Sequence, residues 1–160
     1  MPEGNAPRPA ILVSACLVGV PCNHLGRASP SAAVTRLAAG AALVPVCPEV
    51  AGGLPVPRPA AEVQADGTVR TGSGNDVTEQ YRRGAAAALA AARAFGATRA
   101  VLKARSPSCG CGEVYDGTFT RTRVKGDGVA ARALREAGVA VCSEEDVEGR
   151  SGGGREPEPR

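Results

Sequence analysis

Cys16, Cys47 and Cys109 each follow a short run of β-prone apolar residues: Ile11-Leu12-Val13, Leu43-Val44-Pro45-Val46 and Ala100-Val101-Leu102-Lys103. In an open parallel α/β sheet, ligands bind in the crevice beyond the carboxyl ends of the strands, so three strand-end thiols can converge on one point. Convergent thiols are the donor set of a metal or metal–sulfur cluster. No Cys-x-x-Cys is present, which weakens a thiol-redox reading in which one low-pKa cysteine attacks and a neighbour resolves. Paired Cys-x-x-Cys motifs for a structural zinc are missing, and so is the ferredoxin run that supplies four thiolates to one cluster. Three thiolates leave a coordination position open, and an open position implies catalysis more than structure.

The other three of the six cysteines differ by position. Cys142 falls within an apolar run and reads as a buried core thiol. Cys22, after Gly19-Val20-Pro21, and Cys111, two residues beyond Cys109, are each a candidate fourth ligand, resolving thiol or bystander. A zinc module would have to recruit Cys22, Cys111 or His24, the only histidine.

The elements that must position these groups follow from the patterning. With 160 residues and 43% hydrophobic content, one domain with one core is expected. Ala10 to Ala15 reads as a strand, and Ser29-Pro30-Ser31 caps a short helix over Ala32–Ala39 that Gly40 ends. A second strand runs to Val46. The stretch Pro48–Pro59 is so rich in Pro and Gly that it reads as an ordered loop serving a site. Glu62–Arg70 alternates around Asp66-Gly67, a hairpin signal. Asp76 and Glu79 resemble a capping box, and Tyr81, Ala85, Leu89, Ala92 and Phe95 then recur at helical spacing up to Gly96. After the third strand, Ala100–Lys103, Ser106-Pro107-Ser108-Cys109-Gly110 forms a tight turn. A second ribbon is expected around Asp116-Gly117, then a helix over Gly128–Ala137 and a strand over Val139–Cys142.

That order predicts a single Rossmann-like, three-layer α/β domain with a small, mostly parallel sheet and two short β-ribbons. The domain is expected over residues 10–147, after a flexible lead at 1–9 and before a disordered tail at 148–160.

Composition excludes several functions. Two Phe, two Tyr and no Trp leave little for stacking single-stranded nucleic acid, and a charge of +3 with arginines toward the termini favours a small anionic ligand over a long phosphate backbone. No run approaches the roughly 18 apolar residues of a membrane helix, and the start lacks a signal-peptide pattern. The expected location is cytoplasmic, where cysteines are ligands, catalytic thiols or buried hydrophobes more often than disulfides.

Five blocks occur in order: Ser14-Ala15-Cys16-Leu17-Val18-Gly19-Val20-Pro21-Cys22; Cys47-Pro48-Glu49-Val50-Ala51-Gly52-Gly53-Leu54-Pro55; Pro57-Arg58-Pro59; Leu102-Lys103 with Ser106-Pro107-Ser108-Cys109-Gly110; and Tyr115-Asp116-Gly117-Thr118-Phe119. Together they resemble the thiouracil desulfidase (TudS-like) family over roughly residues 10 to 146. The resemblance implies an oxygen-sensitive [4Fe-4S] cluster held by Cys16, Cys47 and Cys109, with a fourth iron free for substrate. It further implies non-redox, hydrolytic removal of sulfur from a thiolated pyrimidine base or nucleotide, with release of hydrogen sulfide.

Under that resemblance a carboxylate must take the proton of the attacking water, and Glu49, two residues after Cys47, is the candidate general base. Its alternative role is to accept backbone amides in a Gly-rich loop. Ser106 matches a family serine that handles substrate or relays protons; its alternative role is to cap the turn before Pro107. Arg58 and Lys103 are candidate anion or substrate contacts or plain solvated charges and stay outside the catalytic set.

One departure stands out. Where family members commonly continue after the second cysteine with an Arg-Tyr-Asp-Gly type sequence, this chain has Asn23-His24-Leu25-Gly26, so substrate contacts there are expected to differ, and His24 is given no role. Relatives with a further C-terminal domain act on thiolated tRNA; recognisable sequence here runs to about Val147, so a small-molecule substrate is expected and tRNA is not. The competing expectations are a non-enzymatic iron–sulfur or sulfur carrier, which needs the cysteines but not Glu49 or Ser106, and a zinc-binding or thiol-redox protein.

Overall fold

The computed structural model of the protein describes residue 4 and residues 6–151. The β-branched run at the start forms strand β1 (Ala10–Ser14), whose residues Ile11 to Ser14 are all buried. A strand buried on both faces belongs at the centre of a parallel sheet. There it lies, flanked by β2 (Ala42–Val46) on one side and β5 (Arg99–Leu102) on the other, with β8 (Ala140–Ser143) beyond β5. All three pairings are parallel, with Leu12 opposite Val44 and Ala100, and Val101 opposite Cys142.

Alternation along β1 divides the core. Leu12 faces one cluster with Ala100, Leu102 and the helices α3 (Thr78–Phe95) and α4 (Val129–Glu136), while Ile11 and Val13 share the other with Val101 of β5, Ala33 and Val34 of α1 (Ala32–Arg36) and Val147 of α5 (Glu144–Ser151). The result is the expected three-layer α/β domain. Its two ribbons also form, β3 (Ala61–Val63) with β4 (Val69–Thr71) and β6 (Glu113–Tyr115) with β7 (Arg123–Lys125), both antiparallel.

The structure departs from the sequence reading in several places. The Pro48–Pro59 stretch is not all loop: Pro48–Ala51 makes one helical turn, α2, because a proline at the first position of a helix needs no N–H partner and has its φ preset. Asp76 and Glu79 do not form a reciprocal box; Val77 is the N-cap, and Asp76 accepts instead from the Thr78 N–H at 2.9 Å. Phe95, at the expected helical spacing, is 64% exposed in the last turn of α3. Helix α5 was not anticipated, and it continues to Ser151, past the point where the tail was expected to begin; residues 152–160 lie outside the described residues. Of the expected lead, residues 1–3 and 5 also lie outside them, whereas Arg8 donates to the Ala38 carbonyl at 3.2 Å and the Pro9 carbonyl accepts from Ala42 at 2.9 Å.

The chain runs from β1 to β2 on one side and then crosses back to β5 on the other. The connections diverge above β1, and a crevice opens at such a switch point.

Candidate active site

A cavity of about 630 Å³ occupies this crevice, and Cys16, Cys47, Cys109, Glu49 and Ser106 all line it. Its size suits a small ligand.

Three different local devices present the thiols. Cys16 sits in a 3-10 turn, Ala15–Val18, directly after β1, closed by Gly19 in the left-handed conformation (φ 101°), and its carbonyl accepts the Ser29 N–H at 2.9 Å. Cys47 is the N-cap of α2. That turn lies backbone to backbone on α3: a Cβ at Gly84 would overlap the Pro48 carbonyl, and one at Gly52 would overlap the Gln80 carbonyl. Cys109 is held by the turn before it and by α4. The Ser106 hydroxyl oxygen accepts from the N–H groups of Ser108 and Cys109 at 3.1 and 3.0 Å, and the Ser108 carbonyl accepts from Ala130 and Ala131 at 2.9 and 3.1 Å. Ser106 thus caps its turn, and it does so on the cavity wall.

Burial pushes the Cys16 thiol up to about 11, with Cys47 adding to the effect, and pushes Cys109 up to about 12 against a lowering hydrogen bond with Ser14. Cys22, also in the cavity, is pushed up to about 12 by burial and then by Cys47. These are protonated thiols at neutral pH, the opposite of the low-pKa nucleophile a redox mechanism needs. They lose their protons on binding a metal, so metal affinity is coupled to proton release.

Among the described residues no three of His, Cys, Asp and Glu stand close enough to share one metal ion. Three thiols on the walls of one cavity form an all-sulfur donor set, which fits iron–sulfur chemistry. Cys111 leaves the list of candidate ligands: its sulfur lies 3.1 Å from Arg135 Nη2 and 3.4 Å from the Val141 carbonyl, and it does not line the cavity. Cys142 packs, partly buried, on the α1–α5 side of the sheet, in keeping with a core thiol.

Glu49, in the first turn of α2, is gripped by side chains, not by the backbone amides of a loop. Arg58 donates to Oε2 from Nε at 3.0 Å and from Nη2 at 2.5 Å, and the Tyr81 hydroxyl donates to Oε1. Burial and the Glu49 charge push the Tyr81 hydroxyl well above its usual range, so it stays a donor. Arg58 itself is no solvated charge, with 3% of its side chain exposed. The sequence offers it as an anion or substrate contact outside the catalytic set; the signal for a more central place is its enclosure by Pro57 and Pro59, which fixes the backbone on both sides.

Lys103 is also paired. Its ammonium meets buried Glu144 at 2.7 Å, and the other Glu144 oxygen accepts the Ala104 N–H at 2.7 Å. Since the Ser14 hydroxyl accepts the Lys103 N–H at 2.9 Å, the ends of β1 and β5 are tied together at the cavity floor.

The β6–β7 tip closes one side of the cavity with Tyr115, Phe119 and Arg121, joined by Arg105. Phe119, Arg121 and Arg105 have φ of 59°, 61° and 62°. Backbone strain of this kind persists where surrounding structure over-determines it and is common at binding sites. Here Glu62 supplies the constraint, its Oε1 accepting from Gly117 and Phe119 N–H at 3.0 and 3.1 Å. Asn23 and His24 also line the wall, and Asn23 Oδ1 accepts from the Leu25 and Arg27 N–H groups at 3.0 and 2.8 Å, closing its own loop.

Fold and site define a class: an α/β protein that receives its ligand at the switch point of a parallel sheet and offers it sulfur donors beside a clamped carboxylate. Comparison with known proteins narrows the class. Residues 11–146 match the family model of 2-thiouracil desulfurase, and the chain belongs to that family. It is 41% identical over 146 residues to the uncharacterized protein YbbK of Bacillus subtilis, covering 86% of this chain and 97% of YbbK. It is also similar to a solved structure of TudS, a [4Fe-4S]-dependent thiouracil desulfidase, at 42% identity and a TM-score of 0.82, over 90% of this chain and 96% of TudS.

Proposed function

We propose that the chain is a [4Fe-4S]-dependent desulfidase that hydrolyses the carbon–sulfur bond of a thiolated pyrimidine base or nucleotide. The observation that carries this reading is the convergence of Cys16, Cys47, Cys109 and Glu49 on one cavity in a member of the 2-thiouracil desulfurase family. The net reaction converts C=S and water to C=O and hydrogen sulfide, with no electron transferred.

In this reading the three thiols, as thiolates, hold the cluster. When bound, the cluster supplies an iron without a protein ligand, a Lewis acid for the thione sulfur. The protein does the rest. Tyr115 and Phe119 offer apolar faces to a planar ring, and Arg121 offers charge to a nucleotide's anionic group, whereas Arg105 is already paired with Glu145 at 2.7 and 3.0 Å. Glu49 takes the proton of the attacking water through whichever oxygen retains acceptor capacity. Ser106, whose oxygen already accepts two amides, retains its hydroxyl proton to donate to the substrate. A cytosolic location belongs to the same proposal, supported by six unpaired thiols and by described helices none of which is long and apolar enough to cross a membrane.

The test is iron and acid-labile sulfide after anaerobic reconstitution, followed by sulfide release from 4-thiouracil, 2-thiouracil and thiouridine monophosphate. About four of each per chain are expected, lost in a Cys16→Ala, Cys47→Ala, Cys109→Ala variant. Glu49→Gln is expected to keep the iron and lose turnover, the result that separates an enzyme from a carrier. Zinc alone, or a loaded protein that frees no sulfide, refutes the proposal.

A further inference from the structure

We infer that Arg58 is a positioning residue that fixes the Glu49 carboxylate and the Cys47 sulfur relative to each other. The inference rests on the proposed function and extends it to a residue outside the expected catalytic set.

Arg58 reaches both groups with one planar fork. Nε and Nη2 both donate to Glu49 Oε2, at 3.0 and 2.5 Å, while Nη2 also lies 2.9 Å from the Cys22 carbonyl and 3.9 Å from Cys47 Sγ. Nη1 is anchored on the Pro55 carbonyl at 3.2 Å, and the Arg58 backbone N–H donates to the His24 carbonyl at 2.9 Å. Each attachment restricts the guanidinium, so its position is set independently of solvent.

The geometry decides which carboxylate oxygen works. A carboxylate has about four lone-pair positions, two on each oxygen. Arg58 takes both on Oε2, and Tyr81 takes one on Oε1. The remaining position on Oε1 is where water can give up its proton. Arg58 therefore selects the basic oxygen and holds it beside the thiol that is to carry metal. The two Nη2 hydrogens go to Glu49 and the Cys22 carbonyl, so the Cys47 sulfur at 3.9 Å shares one of them in a three-centre contact that becomes charge-assisted and stronger once Cys47 is a thiolate. Lysine cannot reproduce this arrangement, because its ammonium is a point charge without a fork.

The experiment uses the anaerobically reconstituted protein, with wild type, Arg58→Gln and Arg58→Lys compared in two readouts. The first is kcat and KM for sulfide release; the second is the reduction potential of the loaded cluster, which hydrogen bonds to sulfur ligands tune. For Arg58→Gln, kcat is expected to fall about 10²-fold with KM unchanged, the loss typical of a displaced general base. Its potential is expected to move to more negative values with iron content intact. Arg58→Lys is expected to recover part of the potential but little of kcat. If Arg58→Gln does not fold, Arg58→Lys is read in the same two measurements. Wild-type kcat and potential in the variant that folds overturn the inference while leaving the desulfidase proposal standing. If the loaded wild type releases no sulfide, the proposed function fails and the potential alone decides: a negative shift supports the Arg58–Cys47 link, and an unchanged potential overturns it.

Discussion

Gly84 of α3 and Pro48 of α2 meet through backbone atoms, with the Pro48 carbonyl occupying the place where a side chain at position 84 would begin. This contact lets α2 lie on α3 and so places Cys47 and Glu49 at the cavity wall. Alanine in a helix interior ordinarily stabilises by about 1 kcal/mol relative to glycine. Gly84→Ala is expected to do the reverse, costing about 1–3 kcal/mol because backbone must move. Urea unfolding measures the sign, and iron bound after reconstitution should fall with it.

Cys111 lies off the cavity, its sulfur against Arg135 and the Val141 carbonyl. Cys111→Ser should therefore retain wild-type iron content, whereas Cys16→Ser, Cys47→Ser or Cys109→Ser alone should each lower it. Metal analysis of the four single variants distinguishes the two groups.

Ser106 has a structural duty that can be measured apart from catalysis. Removing its oxygen leaves the Ser108 and Cys109 amides without their acceptor, a loss of about 1–3 kcal/mol if both remain dry. For Ser106→Ala the expected result is faster loss of iron to a chelator than in wild type, together with lower kcat.

Phe119 and Glu62 form a unit, since the Glu62 carboxylate holds the strained tip that carries the aromatic ring. Stacking a base on an aromatic side chain is worth about 1–3 kcal/mol. Phe119→Ala is expected to raise KM for a thiolated pyrimidine at least about five-fold, the lower end of that range, with a smaller change in kcat. Glu62→Gln should give the same direction through the loosened tip, as steady-state kinetics would show.

Acid stability has a definite sign. Hydrogen bonds from the hydroxyls of Thr68, Thr78 and Thr118 hold the carboxyls of Asp66, Asp76 and Asp116 below their usual value of 3.8. A depressed folded-state pKa contributes stability above the unfolded value, and that contribution disappears as the pH falls through the folded value. The melting temperature of Asp76→Ala is thus expected to lie below wild type at neutral pH, with the gap closing below about pH 4. Thermal melts across pH 7 to 3 check it; high salt should narrow the gap at these exposed groups.

What was legible in the chain was local. Apolar runs specified β1, β2, β5 and β8, Asp-Gly pairs specified both ribbon turns, and the placement of Cys16, Cys47 and Cys109 just beyond strands put them at one edge of any parallel sheet. These features depend on neighbours a few residues away, so pattern and turn chemistry suffice to see them. The helical turn at Pro48–Ala51 was hidden because proline and glycine mark loops and helix starts alike, and α5 because its polar first turn carries little apolar periodicity.

The sequence by itself determined that three thiols stand at strand ends and that a carboxylate follows one of them. Only the tertiary structure decided which groups serve them. Sheet order brings Glu144 to Lys103, the backbone contact of α2 with α3 brings Tyr81 to Glu49, and a return of the chain after Pro55 brings Arg58 to Glu49 and Cys47 together. Cys22 and Cys111 look equivalent in sequence, each a few residues from a presumed ligand, yet one faces the cavity and the other Arg135. The physical reason is that pairing across a crevice depends on how strands and helices cross, and that geometry is set by burial of the whole core, not by spacing along the chain.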